Sequence, residues 1–409
     1  MFRPARRVVG VFLQRTWLRR RAALRCASAL TRGIIGTFRS RMPPTAALIF
    51  TRTFWDPAHP HHFCGSGRMQ QEAFACLQRL GFGAHFAGQE DATFRREVIR
   101  ANLVVSLAPP VARLSARCRR LLLVYTCNTH VLERTPRLQA TAQRWGLPLE
   151  ADSFRGVEEH LVAYGRADYL LIAENDQGIA NFLKHGIPPQ KIKRYNNCVD
   201  VDVWTPAEAK RNRFSFVCYG SALGLRKGLP ALLAAWQQWY RGQDTELHLV
   251  GTPSVVSDQL LRGARHGEVR PGLHVQLDSF PAQHPPIIRL IGSCDVAVFP
   301  TLEDAQPSSL LEMSSCGLPV ITTVQSGVEF TPDFCRYVAA DSVEDLCEAF
   351  EYWYCRRDSV AEAGRRAREY IVAHHSWPHF RRRFSAILCE VMASAGVELP
   401  SPPTAQGIS

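Results

Sequence analysis

Two carboxylates around a helix start are the residues of this chain most suited to chemistry. In residues 299–322, FPTLEDAQPSSLLEMSSCGLPVIT, Asp304 and Glu312 stand eight positions apart. Between them Pro307 suits a first helical turn and Ser308 and Ser309 suit a capped start; Gly317 followed by Pro319 closes the helix. The apolar run 296–299 predicts a short strand that delivers the chain into this loop. In an open α/β sheet, ligands bind at the carboxyl ends of strands, and the unpaired amides of a following helix favour phosphate. The stretch predicts a diphosphate site with carboxylates beside it. Acidic residues in a first turn also serve as caps and dipole partners, a purely structural alternative.

A second candidate lies upstream in FSFVCYGSALGLRKGLPALLAAWQQW, which predicts a strand, a loop containing Gly220, and a helix. Leu229, Leu232, Leu233, Trp236 and Trp239 fall on one helical face, and Lys227 sits at the helix start, where a bound phosphate would lie. Gly65-Ser66-Gly67-Arg68 precedes an amphipathic run, 69–80, and such small residues let a backbone approach a ligand closely. His130 follows the strand-like run 121–125, although a lone His there is more often structural. His59, His61 and His62 cluster locally without acidic or Cys partners at a set spacing, so no metal is expected.

These groups need a scaffold, and the alternation of apolar strands with amphipathic helices predicts doubly wound parallel sheets. Runs 46–50, 103–106, 121–125 and 169–172 read as strands of one sheet; 214–218, 247–250, 274–277, 296–299 and 320–322 read as a second. The polar segment 196–206, NNCVDVDVWTP, separates them and reads as the linker. Runs 343–354 and 360–373 carry helical spacing, and 377–392 predicts a last helix. With 409 residues the chain is too long for one ordinary core and is expected to form two domains of about 150 to 200 residues. The division expected is an Arg-rich extension over 1–41, an acceptor-side domain over 42–205, a donor domain over 206–380, a crossover helix over 381–397 and a frayed Pro/Ser/Gly-rich tail over 398–409.

The net charge of +12 suggests nucleic acid until its location is read: eleven Arg and no acid fall in 1–41, which leaves +1 for everything after. A nearly neutral body argues against a nucleic-acid stripe. The head has three readings: a transit peptide, a surface segment on an anionic membrane, or an extension upstream of a start at Met42, the reading favoured here. Its apolar runs are split by Arg, so none of them spans a bilayer. Thirteen Cys without a C-x-x-C pair point to reduced thiols in a cytoplasmic protein, peripheral to a membrane at most.

The motif DAQPSSLLE followed by MSSCGLPV resembles the donor loop of the retaining family 4 glycosyltransferases (glycosyl transferases group 1), with Asp304 in place of the family's first Glu. Glu303 stands one place too early unless a bulge shifts it. Upstream, the family's Gly-Arg, spacer, Lys-Gly pattern is kept at Gly220, Lys227 and Gly228 but has Ser221 in the Arg position; Arg226 is the nearest substitute cation, though neighbours on a helix diverge. The linker resembles the family's Asn-Gly-Val-Asp segment, with Cys198 in the Gly position and Trp204 in that of a Phe. The resemblance covers about 300 of the 409 residues and is strongest over 214–322.

It implies an α/β GT-B fold: two Rossmann-like doubly wound domains facing a cleft, with the C-terminal helix crossing back to the first. It implies a metal-independent retaining glycosyltransferase whose nucleoside diphosphate sugar is substrate rather than cofactor. The acceptor is a glycan, a lipid-linked glycan or a small molecule. By the same resemblance Glu312 accepts from the ribose hydroxyls, Asp304 and His130 lie near the sugar, and the diphosphate faces Lys227 and the amides of Ser308, Ser309 and Leu310. Gly65, Gly67, Gly220, Ser221 and Arg226 complete the donor surface. A shorter Asp304 stops about 1.5 Å short, a misplacement able to cost on the order of a hundredfold in rate. A catalytically idle nucleotide-sugar or glycan-binding module of the same fold is the main alternative, followed by an epimerase or phosphorylase and by an Arg-driven membrane or nucleic-acid binder.

Overall fold

The structure, a computed structural model, describes residues 45–50, 65–88, 101–112, 121–126, 129–150, 156–278 and 283–396. The expectations for the Arg-rich head, for the His59, His61, His62 cluster and for the tail 398–409 lie outside these residues. Among the described residues no helix is long and apolar enough to cross a membrane.

In chain order the first domain comprises β1 (Thr45–Phe50), α1 (Gly65–Arg79), β2 (Gly83–Gly88), β3 (Leu103–Leu107), α2 (Ala108–Ala112), β4 (Leu121–Thr126), α3 (Val131–Trp145), α4 (Val157–Arg166), β5 (Tyr169–Ile172), α5 (Asp176–Lys184) and β6 (Ile192–Arg194). The strands are all parallel, in the order β2-β1-β3-β4-β5-β6. Successive side chains of β1 point to opposite faces, so Ala46 and Leu48 join one core and Ala47 and Ile49 the other. Burial on both faces explains why these strands read as continuous apolar runs.

The second domain comprises β7 (Phe214–Leu223), α6 (Leu229–Trp239), β8 (Thr245–Pro253), α7 (Val255–Leu260), β9 (His266–Arg270), β10 (Leu273–Leu277), α8 (Pro285–Ser293), β11 (Val296–Phe299), α9 (Ser308–Ser315), β12 (Val320–Thr323), β13 (Cys335–Val338), α10 (Val343–Cys355) and α11 (Val360–His374). Its sheet runs β13-β12-β11-β7-β8-β10-β9, parallel except for the β10–β9 pair. An aromatic core of Phe216, Trp236, Trp239 and Phe350 welds α6 and α10 to the sheet, with the Phe216 and Phe350 centroids 4.7 Å apart.

The last helix, α12 (Trp377–Ser394), returns to the first domain. Its Trp377, Phe380, Phe384, Ile387, Leu388 and Val391 form one stripe and bury against Met69, Ala73 and Leu77 of α1. Arg381 Nε lies 2.6 Å from Glu72 Oε2, which fixes the register of the two helices. The linker runs beside this return: Val199 N donates to His375 O at 2.8 Å.

Four strands escaped the sequence reading. β2 is GAHFAG, β6 has only three residues, β9 (HGEVR) is a polar antiparallel edge and β13 (CRYV) is buried only at its two ends. None carries the apolar run that marks a strand buried on both faces.

Candidate functional site

Strand order reverses between β7 and β11, and the loops leaving the carboxyl ends of these two strands form the site. Gly228, with φ +70°, ends the first loop and caps α6. A Cβ there would lie 2.0 Å from Pro300 O, so only Gly lets the two loops meet this closely. The contact is sealed by Leu302 N and Thr301 Oγ1, which donate to Arg226 O at 2.8 and 3.0 Å. Two non-Gly residues have left-handed φ, Ala222 (+49°) at the irregular carboxyl end of β7 and Gln306 (+48°) in the second loop, a form of strain that persists where surrounding contacts enforce it.

This closeness brings Arg226 and Lys227 onto one carboxylate. Arg226 Nη1 lies 2.8 Å from Asp304 Oδ1, Lys227 Nζ pairs with Oδ2, and Thr301 Oγ1 lies 3.1 Å from Oδ2. The expectation that adjacent Arg226 and Lys227 diverge is corrected: they precede α6 in a turn, where helical spacing does not apply. Lys227 Nζ also lies 4.7 Å from the Phe299 ring centroid. Burial, then the Arg226 charge, pull the Lys227 ammonium down to about 8 despite the attraction of Asp304. Burial works against Asp304 ionisation, but the charges of Arg226 and Lys227 outweigh it and hold the carboxyl below its ordinary range.

Beside this triad, α9 starts at Ser308 with Pro307 as its N-cap rather than inside the first turn. Pro307 lacks a side-chain acceptor, so no side chain caps the helix. Leu310 N donates to Pro307 O at 3.1 Å, whereas the amides of Ser308 and Ser309 have no partner among the described residues. The helix start therefore keeps two free donors. A cleft of about 170 Å³ is lined here by Ser221, Arg226, Lys227, Asp304, Ser308 and Ser309, and from the first domain and its returning helix by Met69 and Trp377. Two cations, one carboxylate and two free amides make it electropositive.

Other expected residues fall differently. Gly220 packs its Cα against Ser309 and Phe299, close enough that a Cβ would lie 3.3 Å from Ser309 Oγ. Glu312, half-buried on α9, has no hydrogen-bond partner for its carboxyl among the described residues, and burial pushes that carboxyl up to about 8. Gly65 and Gly67 lie in the first turn of α1 rather than in a loop, because the helix begins earlier than the amphipathic run suggested. His130 is a helix cap, not a cleft-lining group: Nδ1 accepts from Leu132 N at 3.4 Å, the ring stacks on His185 at 4.3 Å, and burial lowers its basicity to about 4. Glu303 is not moved into register by a bulge; it is buried and accepts from Thr129 N at 3.1 Å. Cys198 does not adopt positive φ and is buried, its Sγ 3.4 Å from Asn196 O.

Several residues went unforeseen. Asn197 Nδ2 donates to Ala305 O and Gln306 O at 2.9 Å each, and Asn197 N donates to Gln306 Oε1 at 2.9 Å, so the linker holds the Asp304 loop directly. Thr129 reaches the same loop from the first domain, with Glu174 behind it at 2.9 Å. Arg137 Nη1 donates to Leu302 O at 2.9 Å, and Trp145 Nε1 to Asp341 Oδ1 at 2.7 Å. Leu138 and Ala142 of α3 pack against Leu225, Val256 and Leu302. Only the polar character of the linker hinted at such contacts.

Two facing doubly wound domains with a helix returned from the second to the first constitute the GT-B architecture. Residues 213–355 match the family model described as Glycosyl transferases group 1. Among solved structures, sucrose-phosphate synthase from Thermosynechococcus elongatus superposes with a TM-score of 0.63 at 14% identity, covering 86% of this chain and 100% of that one. Anabaena HepE in complex with UDP-glucose gives 0.60 at 14%, covering 84% and 99%. WaaG, a glycosyltransferase involved in lipopolysaccharide biosynthesis, gives 0.57 at 16%, covering 84% and 99%. No curated protein matches the sequence.

Proposed function

We propose that this protein is a retaining glycosyltransferase of family 4 type that moves a sugar from a nucleoside diphosphate sugar to an acceptor hydroxyl without a bound metal. The observation that carries the reading is the convergence of Arg226 and Lys227 beside the unclaimed amides of Ser308 and Ser309 in a cleft at the strand switch point. Such fixed donors stabilise charge that grows on a leaving diphosphate. The family match over 213–355 covers both loops, and the fold is shared with HepE, whose structure holds UDP-glucose, which favours a UDP-sugar donor.

In this reading the diphosphate takes over Lys227 and Arg226 as ion partners, and Asp304 is released toward the sugar. Glu312 awaits the ribose hydroxyls: its raised carboxyl regains an ordinary acidity once donors reach it. The acceptor hydroxyl attacks from the leaving-group face and passes its proton to a phosphate oxygen. Free cysteines, most of them buried, support a reducing, cytoplasmic setting.

Thermal stabilisation by a panel of nucleotide sugars identifies the donor, and turnover with that donor, with and without chelator, tests the chemistry. Product with the donor's anomeric configuration and unchanged rate in chelator is expected; inversion of configuration or loss of turnover in chelator refutes the corresponding part. A second reading, an idle nucleotide-sugar-binding module, is favoured by the full occupation of both cations by Asp304. Tight donor binding without turnover selects it.

A further inference from the structure

At the junction of the two domains, one hydroxyl has two partners and a single proton. Thr129 Oγ1 lies 2.9 Å from Glu174 Oε1 and 3.2 Å from the backbone carbonyl oxygen of Asp304. The Asp304 carbonyl can only accept, so making both bonds sends the Thr129 proton to that carbonyl and leaves Thr129 Oγ1 as acceptor toward Glu174. A carboxylate cannot supply that donor; a carboxylic acid can.

The surroundings agree. Glu174 is 2% exposed, and its carboxyl is wedged between Gly178 of α5 and Gly327 of the second domain; a Cβ on either would lie 2.4 Å from Oε2. Charged groups face it from each neighbouring element: Glu303 and Asp304 on the loop and Arg137 on α3, while Arg194 on β6 donates to the Glu174 backbone carbonyl at 2.9 Å. Arg137 donates to Leu302 O, and the cations nearest Asp304 are engaged there, so Glu174 has no ion partner of its own among the described residues. Burial first, then Glu303 and Asp304, push its carboxyl well above the usual range, and a bond donated by the neutral acid to Thr129 acts in the same direction.

We propose that Glu174 is a positioning residue: a neutral carboxylic acid that donates to Thr129 and thereby holds the Asp304 loop against the first domain. Raising pH through its titration replaces the donor with a charge, breaks the relay at Thr129 and loosens the loop. The junction is closed below that titration and released above it. The catalytic consequence rests on the proposed sugar transfer; the proton on Glu174 does not.

Difference infrared spectroscopy of wild type against Glu174→Gln at neutral pH tests the proton directly. The carbonyl stretch of a carboxylic acid is expected in wild type and missing in the variant; a difference made only of carboxylate bands overturns the proposal. If Glu174→Gln does not fold, Thr129→Val provides the same check, because loss of the acceptor shifts the acid band upward, and an unmoved band overturns it. Hydrogen exchange of residues 301–306, followed as pH rises, is expected to accelerate in wild type beyond Glu174→Gln; coincident profiles overturn it. With an active donor, Glu174→Gln retains wild-type turnover at neutral pH, whereas Glu174→Met, similar in volume but without a donor, loses at least about tenfold, the scale of one net hydrogen bond. Equal losses in both reduce Glu174 to packing. Absence of turnover in wild type counts against the transfer reaction alone, since the infrared and exchange results stand without it.

Discussion

Arg226 Nη1 lies 2.8 Å from Asp304 Oδ1, on the side of the carboxylate opposite Lys227. Ser221 occupies the position where the resembling family carries its Arg, and five residues on this chain provides a guanidinium at the same carboxylate. Because Arg226 supplies the second cation, Arg226→Ala is expected to weaken binding of UDP, used as the probe, by roughly tenfold or more, the scale of a lost charge-assisted hydrogen bond. Lys227→Ala is expected to lower turnover more than affinity. Calorimetry and initial rates measured on the two variants separate these effects, and unchanged donor handling in both removes the site.

Replacing Asp304 by Asn leaves the buried Lys227 and the partly exposed Arg226 without their counter-charge. Removing one partner of a buried ion pair costs about 3–5 kcal/mol, here reduced because Lys227, already drawn down to about 8, can shed its proton. Asp304→Asn is therefore expected to lower the melting temperature, and millimolar UDP is expected to recover more of that loss than it adds to wild type. Equal stabilisation of both proteins by UDP contradicts the competition between Asp304 and phosphate.

Proton exchange on donor binding is expected to change sign near pH 8. Below it, hydroxyl donors that restore Glu312 to ordinary acidity make binding release a proton from a carboxyl now raised to about 8. Above it, a diphosphate that raises Lys227 from about 8 makes binding take up a proton. Calorimetry with UDP in buffers of different ionisation enthalpy measures both arms. Glu312→Gln should erase the release and Lys227→Ala the uptake.

Leu138 seals the junction from the first-domain side, against Leu225 and Leu302 of the two site loops. Leu138→Ala is expected to cost about 2–5 kcal/mol, as other buried Leu truncations do, and to raise KM for the donor as the loops lose their support. Denaturant unfolding and steady-state kinetics on one preparation check the two effects together; a stability loss with unaltered KM separates packing from function.

Asp304, Lys227 and the start of α9 were legible in the sequence because each depends on local rules: an apolar strand, a turn, a Pro and small polar residues within a few positions. The parallel sheets were legible for the same reason, since strands buried on both faces are apolar throughout. Their order, and so the switch point between β7 and β11, depended on long-range pairing that no local pattern encodes. The tertiary structure alone decided that Arg226 joins Lys227, that His130 turns inward as a cap, and that Thr129, paired with Glu174, meets the Asp304 carbonyl across 175 residues of chain. Side-chain direction in a turn, and hydrogen bonds between segments distant in sequence, are fixed by packing; one-dimensional spacing carries no record of either.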